Sequence, residues 1–178
     1  MTRRLLALAY GGAAALACIS VLLIAVLMIG QSILREFGVR TGAVNDVVAW
    51  LCAAAAFLGM PYAFKQGDFV RVTLLLERLP PAAARAMEVA ALAVASVAVT
   101  YLAYWATRFT WESWRFNDMA TGLLALPLWI PQTTFVIGAW LLAVAVLEEM
   151  VLVLRGGRPS YVVAVEERHA QGDFSSDV

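Results

Sequence analysis

Histidine occurs once in the 178 residues, at position 169, and cysteine twice, at 18 and 52. So small a stock of ligands excludes a paired-histidine haem site, a Cys/His zinc site and a disulfide framework, and no cofactor is expected. Charge is scarce too: 15% of residues are Asp, Glu, Lys or Arg, and 13 basic residues balance 13 acidic ones. Without a basic excess nothing holds a polyanion, so nucleic acid is not an expected partner. What fills the chain instead is apolar. Hydrophobic residues make up 62% and the mean hydropathy is +0.79, values of a chain solvated largely by lipid.

Four stretches contain no Asp, Glu, Lys or Arg: 5–34, 47–64, 89–107 and 119–147. At 1.5 Å per helical residue even the shortest reaches about 27 Å, close to a hydrocarbon core of about 30 Å. Backbone polar groups in lipid must be satisfied within the segment, and none of these runs alternates as a barrel strand does. The pattern therefore predicts an all-α integral membrane protein with four transmembrane helices, at about 5–30, 46–64, 88–108 and 127–150. Basic residues orient it. Arg3 and Arg4, then Lys65, Arg71, Arg78 and Arg85, then Arg155, Arg158 and Arg168 fall on one side, nine in all, against Arg35, Arg40, Arg108 and Arg115 on the other. The positive-inside rule places both termini and the middle connection in the cytoplasm.

The first run also has a signal-peptide reading, since Arg3-Arg4 precede it and Ala15-Leu16-Ala17-Cys18 weakly resembles a lipoprotein cleavage site. Its continuation to Ile29 is long for a cleaved segment and favours a retained helix. Between the second and third runs, Val72, Leu75, Leu76 and Leu79 share one helical face while Arg71 and Arg78, seven apart, lie on another. This predicts a short amphipathic helix over about 69–79 in the headgroup layer, ended by Pro80-Pro81, either resting on lipid or bracing a partner. No internal repeat is apparent, and residues 161–178 read as a mobile polar tail.

Tyr101, Tyr104, Trp105, Phe109, Trp111, Trp114 and Phe116 crowd the outer end of the third run, either as an interfacial belt or as a docking surface for a periplasmic protein. Among them Arg108, Glu112 and Arg115 are spaced so that one carboxylate can bridge two guanidinium groups. The fourth run opens Leu126-Pro127-Leu128-Trp129-Ile130-Pro131, so its regular helix is expected from Leu128 or Pro131, with Trp129 as an interfacial anchor. Glu148 and Glu149 lie near its cytoplasmic end, either snorkelling to water or pairing with a basic residue of a neighbouring subunit.

No charged side chain falls in the inner part of any span, and His169 lies in the polar tail. Acid–base catalysis in the membrane is not expected, and the charged groups and repeated broken helices of a self-sufficient carrier are missing. Small residues are plentiful, as in Gly11-Gly12-Ala13-Ala14-Ala15, Ala53-Ala54-Ala55-Ala56 and Gly138-Ala139. They allow close helix approach in lipid, so binding another membrane protein is the expected task.

Several motifs occur in a fixed order. Gln31-Ser32-Ile33-Leu34-Arg35 follows the first span, Asp46 opens the second, and Phe57-Leu58-Gly59 lies within it. Gly67-Asp68-Phe69-Val70-Arg71-Val72 with Leu79-Pro80 comes next, then Leu126-Pro127-Leu128-Trp129-Ile130-Pro131 leading to Gly138. In this combination, from about Val21 to Gly156, the chain resembles the small membrane subunit (DctQ-like) of tripartite ATP-independent periplasmic, or TRAP, transporters. Phe69 and Thr73 stand where that family often has a histidine and an acid, and the tryptophan and paired acids usual before the second helix are reduced to Asp46. The resemblance implies a bacterial inner-membrane heteromer. Its partners would be a large DctM-like subunit moving organic acids with sodium and a DctP-like periplasmic binding protein, beside membrane lipids. The small subunit would be a fixed scaffold, with Arg35 and Asp46 forming an ion pair on the outer connection or with the partner. A self-associating membrane scaffold or a quinone-pocket protein is the alternative reading.

Overall fold

The computed structural model describes residues 2–39, 41–69 and 80–171. Among the described residues five helices follow one another: α1 (Thr2–Glu36), α2 (Ala43–Gln66), α3 (Pro81–Arg115), α4 (Trp129–Leu154) and α5 (Ser160–Ala170). The first four are long and apolar enough to cross a membrane. Among the described residues there is no strand, only an isolated bridge between Met119 and Pro127. The fold class is therefore the all-α, four-span one expected from the charge-free runs. The helices outrun those runs: α1 and α3 have 35 residues each, about 52 Å, and so extend past the apolar layer or cross it obliquely. The interfacial helix expected over 69–79 falls on residues 70–79, outside the described residues, with Phe69 exposed at the start of that stretch.

All four long helices stop in the same way. Gly38, Gly67, Asn117 and Gly156 turn left-handed, and the next residue's N–H returns to the carbonyl of Leu34, Ala63, Ser113 or Leu152. These closures satisfy carbonyls that would otherwise be orphaned at the ends of the spans. Gly67 carries a second constraint, because a Cβ there would lie 2.7 Å from Val165 Cγ2 and 2.8 Å from the Tyr161 carbonyl oxygen of α5. Gly67→Ala is expected to cost about 1–3 kcal/mol, combining left-handed strain with overpacking. Thermal unfolding in detergent followed by circular dichroism checks it; an unchanged midpoint would mean that α5 does not press on α2.

Packing sets the order of the helices. Ala13 and Ala17 of α1 are buried with Ala54 and Leu58 of α2, the small residues permitting close approach. Next, α2 meets α4 at Gly138, where a Cβ would lie 2.4 Å from the Phe57 carbonyl oxygen, and Phe57 meets Phe135 edge to face at 4.1 Å. On the other side of α4, Leu142, Val146 and Val153 cluster with Leu92 of α3 and Tyr161 of α5. The helices stand α1, α2, α4, α3, an open row rather than a closed four-helix bundle, with α5 seated on α2. Burial agrees: α4 buries 44% of its most apolar window and each of the other three 17%. Among the described residues the outer faces of α1 and α3 are broadly exposed.

Polar links also tie α3 to α4, among them Ser96 to the Met150 sulfur at 3.6 Å. The Trp140 indole N–H donates to Thr107 Oγ1 at 3.0 Å, and Thr107 donates on to the Ala103 carbonyl at 2.8 Å. Trp140→Phe is expected to lower stability by about 0.6 kcal/mol, the usual worth of an interhelical hydrogen bond in lipid. SDS-induced unfolding measures it, and no loss would show that Thr107 serves only its own helix.

The polar segment expected as a mobile tail contains α5. Its overall composition hides Tyr161-Val162-Val163-Ala164-Val165, which turns the buried Tyr161 ring toward Phe64 of α2, 5.7 Å between centroids. Residues 172–178 lie outside the described residues.

Candidate functional site

The densest polar cluster lies at the end of the row that carries the C-termini of α2 and α4. Successive residues on a helix point about 100° apart, so Glu148 and Glu149 diverge from the same turn of α4. Glu149 turns inward and is 1% exposed. Its Oε1 receives the Lys65 ammonium at 2.8 Å and its Oε2 the backbone N–H of Ser160 at 2.8 Å. Ser160 opens α5, so this N–H belongs to a helix N-terminus whose dipole favours a carboxylate. Glu148 faces α1, where its Oε2 accepts the Tyr10 hydroxyl at 3.0 Å and lies 2.9 Å from the Lys65 ammonium. Lys65 Nζ also stands 5.7 Å from the centre of the Tyr10 ring.

Four of the five helices thus meet around one ammonium, and α3 joins through neighbouring contacts. Tyr161 donates to Glu88 Oε1 at 2.9 Å and Arg85 to the Val153 carbonyl at 3.1 Å. Arg168 pairs with Asp68 at 2.8 Å and also donates to the Gln66 carbonyl, binding α5 to the start of the middle connection. Such a cluster is a clamp in chemical terms. Both partners of Glu149 among the described residues are donors, and its carboxylate is enclosed.

The residues singled out in the sequence divide between the two ends. Glu148 and Glu149 both pair with Lys65 of the same chain, Glu149 fully enclosed and Glu148 30% exposed. At the opposite end Asp46 accepts the Leu123 backbone N–H at 3.1 Å, fixing the 116–128 connection over the start of α2, while Arg35 is exposed in the last turn of α1. No ion pair joins Arg35 to Asp46 among the described residues. Glu112 pairs with Arg108 at 3.2 Å, both about half exposed, and Arg115 is exposed beside them, so one guanidinium is held rather than two. Pro127 forms the bridge with Met119, Leu128 caps α4, Trp129 is its first residue, and Pro131 sits in its first turn, where its missing N–H costs nothing. Trp111 and Trp114 meet at a tilt with ring centres 5.0 Å apart, and Tyr104 and Trp105 meet edge to face at 5.8 Å, all exposed. Arg71 and Arg78 lie outside the described residues.

Asp46→Ala is expected to loosen the 116–128 connection at a cost of about 0.5–1.5 kcal/mol, the net worth of an exposed hydrogen bond. Hydrogen exchange at Leu123 checks it, and unaltered protection there would contradict the assignment.

Lys65, Tyr10 and Ser160 were not among the residues marked by sequence. One signal was available: Lys65 is the single lysine of the chain, every other basic residue being arginine. A compact ammonium with three rotatable donors serves two diverging carboxylates better than a planar fork does.

The family profile described as "Tripartite ATP-independent periplasmic transporters, DctQ component" matches residues 24–156, about three quarters of the chain. The chain belongs to the DctQ family. A comparison with curated proteins finds no match. As a DctQ protein it is a multi-pass membrane component of a TRAP transporter, and the family is a transporter component rather than an enzyme. The matched region ends at Gly156, the left-handed residue closing α4. Lys65, Glu148 and Glu149 of this DctQ protein therefore lie within the family region, while Tyr10 and all of α5 lie outside it.

Proposed function

We propose that this DctQ protein is the stationary small subunit of a sodium-coupled, binding-protein-dependent importer of an organic acid, and that its work is mechanical. It sits in the bacterial inner membrane with both termini cytoplasmic, holds a large DctM-like subunit in place, and presents the aromatic end of α3 to a DctP-like periplasmic protein. The observation that carries this reading is the open row of helices, whose long outer faces of α1 and α3 are broadly exposed among the described residues. Leu5, Leu8, Val26 and Ile29 on α1 and Val94, Val97 and Tyr101 on α3 are among the exposed residues. Packing of this kind gives grip without any ligand site, and the charge-free inner spans supply no place for a solute or cation.

The orientation is supported by the nine basic residues at the ends and middle connection against four on the other two. Arg35, Arg108, Glu112, Arg115, Pro127 and Trp129 then lie on the periplasmic side and are the candidates for contact with the binding protein or the large subunit. Arg71 and Arg78 are candidates on the cytoplasmic side. Purification in mild detergent tests the assignment: stoichiometric co-elution with a large, many-helix membrane protein is expected, and a homo-oligomer alone or one carrying a redox chromophore would contradict it.

A further inference from the structure

The ion cluster has one atom left over. Both bonds made by Glu148 go to Oε2, from Tyr10 and Lys65, whereas Glu149 uses both of its oxygens. Among the described residues Glu148 Oε1 thus has no protein partner, and the side chain is 30% exposed. It lines a recess of about 280 Å³ walled by Leu6 and Ala7 of α1, Tyr62 and Lys65 of α2, and Ser160. Two carboxylates share one ammonium, so the cluster carries a formal surplus of one negative charge; Glu148 and Lys65 line the recess and Glu149 lies buried behind them.

Glu148 also opens onto a second hollow, of about 360 Å³, running along α4 over Val144, Leu147 and Val151 and ending at the exposed Arg155. The two hollows meet at one carboxylate. A spare acceptor beside an apolar trough, with a cation at the trough's end, offers partners for a primary ammonium, an alkyl chain and a phosphate that belong to one molecule. The depth agrees, because the last turn of α2 and the first turns of α1 and α5 lie where apolar spans give way to polar termini.

We propose that the recess beside Glu148 binds a phospholipid with a primary-amine headgroup. The ammonium donates to Glu148 Oε1, the phosphate lies toward Arg155, and an acyl chain follows the trough on α4. A trimethylammonium headgroup has no N–H to give Oε1, and an anionic headgroup brings like charge to the uncompensated carboxylate. The ammonium neutralises a cluster that otherwise carries one surplus negative charge in a low-dielectric setting.

Native mass spectrometry of the full chain, titrated separately with phosphatidylethanolamine, phosphatidylcholine and phosphatidylglycerol, tests this. Retention of the ethanolamine lipid is expected with about tenfold tighter binding than either of the others, the worth of one charged hydrogen bond. Glu148→Gln, which keeps an acceptor for Tyr10, should remove that preference. Ala7→Trp, which fills the recess from an exposed position on α1 without touching a charge, should exclude the lipid altogether. Equal binding of the three lipids, a preference for phosphatidylglycerol, or an ethanolamine preference surviving both substitutions would overturn the proposal. So would loss of the lipid when the co-purified large subunit is present, since the recess would then be filled by that subunit.

Discussion

Lys65→Met is expected to destabilise the protein by about 3–5 kcal/mol, the usual cost of leaving a buried charge without its partner. Glu149 would retain only the Ser160 N–H, at 1% exposure, and Glu148 only the Tyr10 hydroxyl. Solvation of Glu149 would require α5 to lift from α2, so loss of the α5 contacts should accompany the loss of stability. Lys65→Arg should recover only part of it, since a planar guanidinium cannot aim donors at two carboxylates as freely as an ammonium. Combining Lys65→Met with Glu149→Leu and Glu148→Gln removes the charges together and should restore most of the stability. Thermal unfolding of the series in detergent, with hydrogen exchange of residues 160–170 as a second readout, checks the account. A Lys65→Met protein with wild-type stability and a protected α5 would show that the cluster holds nothing together.

Gly138→Leu is expected to be comparably severe for a different reason. At this crossing α2 and α4 touch through backbone, with the Phe57 carbonyl carbon 2.5 Å from where a Cβ would stand, so no rotamer change relieves the clash. Overpacking costs about 1–3 kcal/mol where side chains can yield, and here the helices themselves must separate. Because α4 is the centre of the row, its displacement from α2 divides the molecule into an α1–α2 pair and an α3–α4 pair. Alanine at this position should be milder but still destabilising. SDS titration by circular dichroism is the measurement, and a Gly138→Leu protein as resistant as wild type would mean that the close crossing is dispensable.

The spans were legible because lipid leaves little choice: a run of 18 or more uncharged residues must satisfy its own backbone, and the helix does so. Four terminators were equally open to reading, since Gly38, Gly67, Asn117 and Gly156 are residues that tolerate a left-handed turn. What periodicity does not carry is the choice of neighbour. The pairing of Glu148 and Glu149 with Lys65, 83 and 84 residues away in sequence, depends on α2 packing against α4, and nothing local to any of these residues announces it. Asp46 is a similar case: its expected partner was a charged residue close in sequence, but it holds a backbone N–H 77 residues along the chain. Average polarity misled in α5, where the charged half of the helix masked Tyr161 and its apolar followers. The site was therefore half readable, its acids from their unusual position at the end of a span and its lysine and tyrosine only from the fold.

Family membership and geometry bear on function from separate directions. The DctQ match places the chain in a TRAP transporter, while the open row, the charge-free inner spans and the internal clamp are the features that support the proposed scaffold role. A rigid small subunit gives a moving partner something to move against. Reconstitution separates this role from transport most directly. Proteoliposomes are made with the DctQ protein alone, with the large subunit alone, and with both, each given a sodium gradient, the binding protein and an organic acid it carries. Uptake is expected only when both membrane subunits are present, with the DctQ protein alone at the level of empty vesicles; sodium-driven accumulation by the DctQ protein alone would contradict the account.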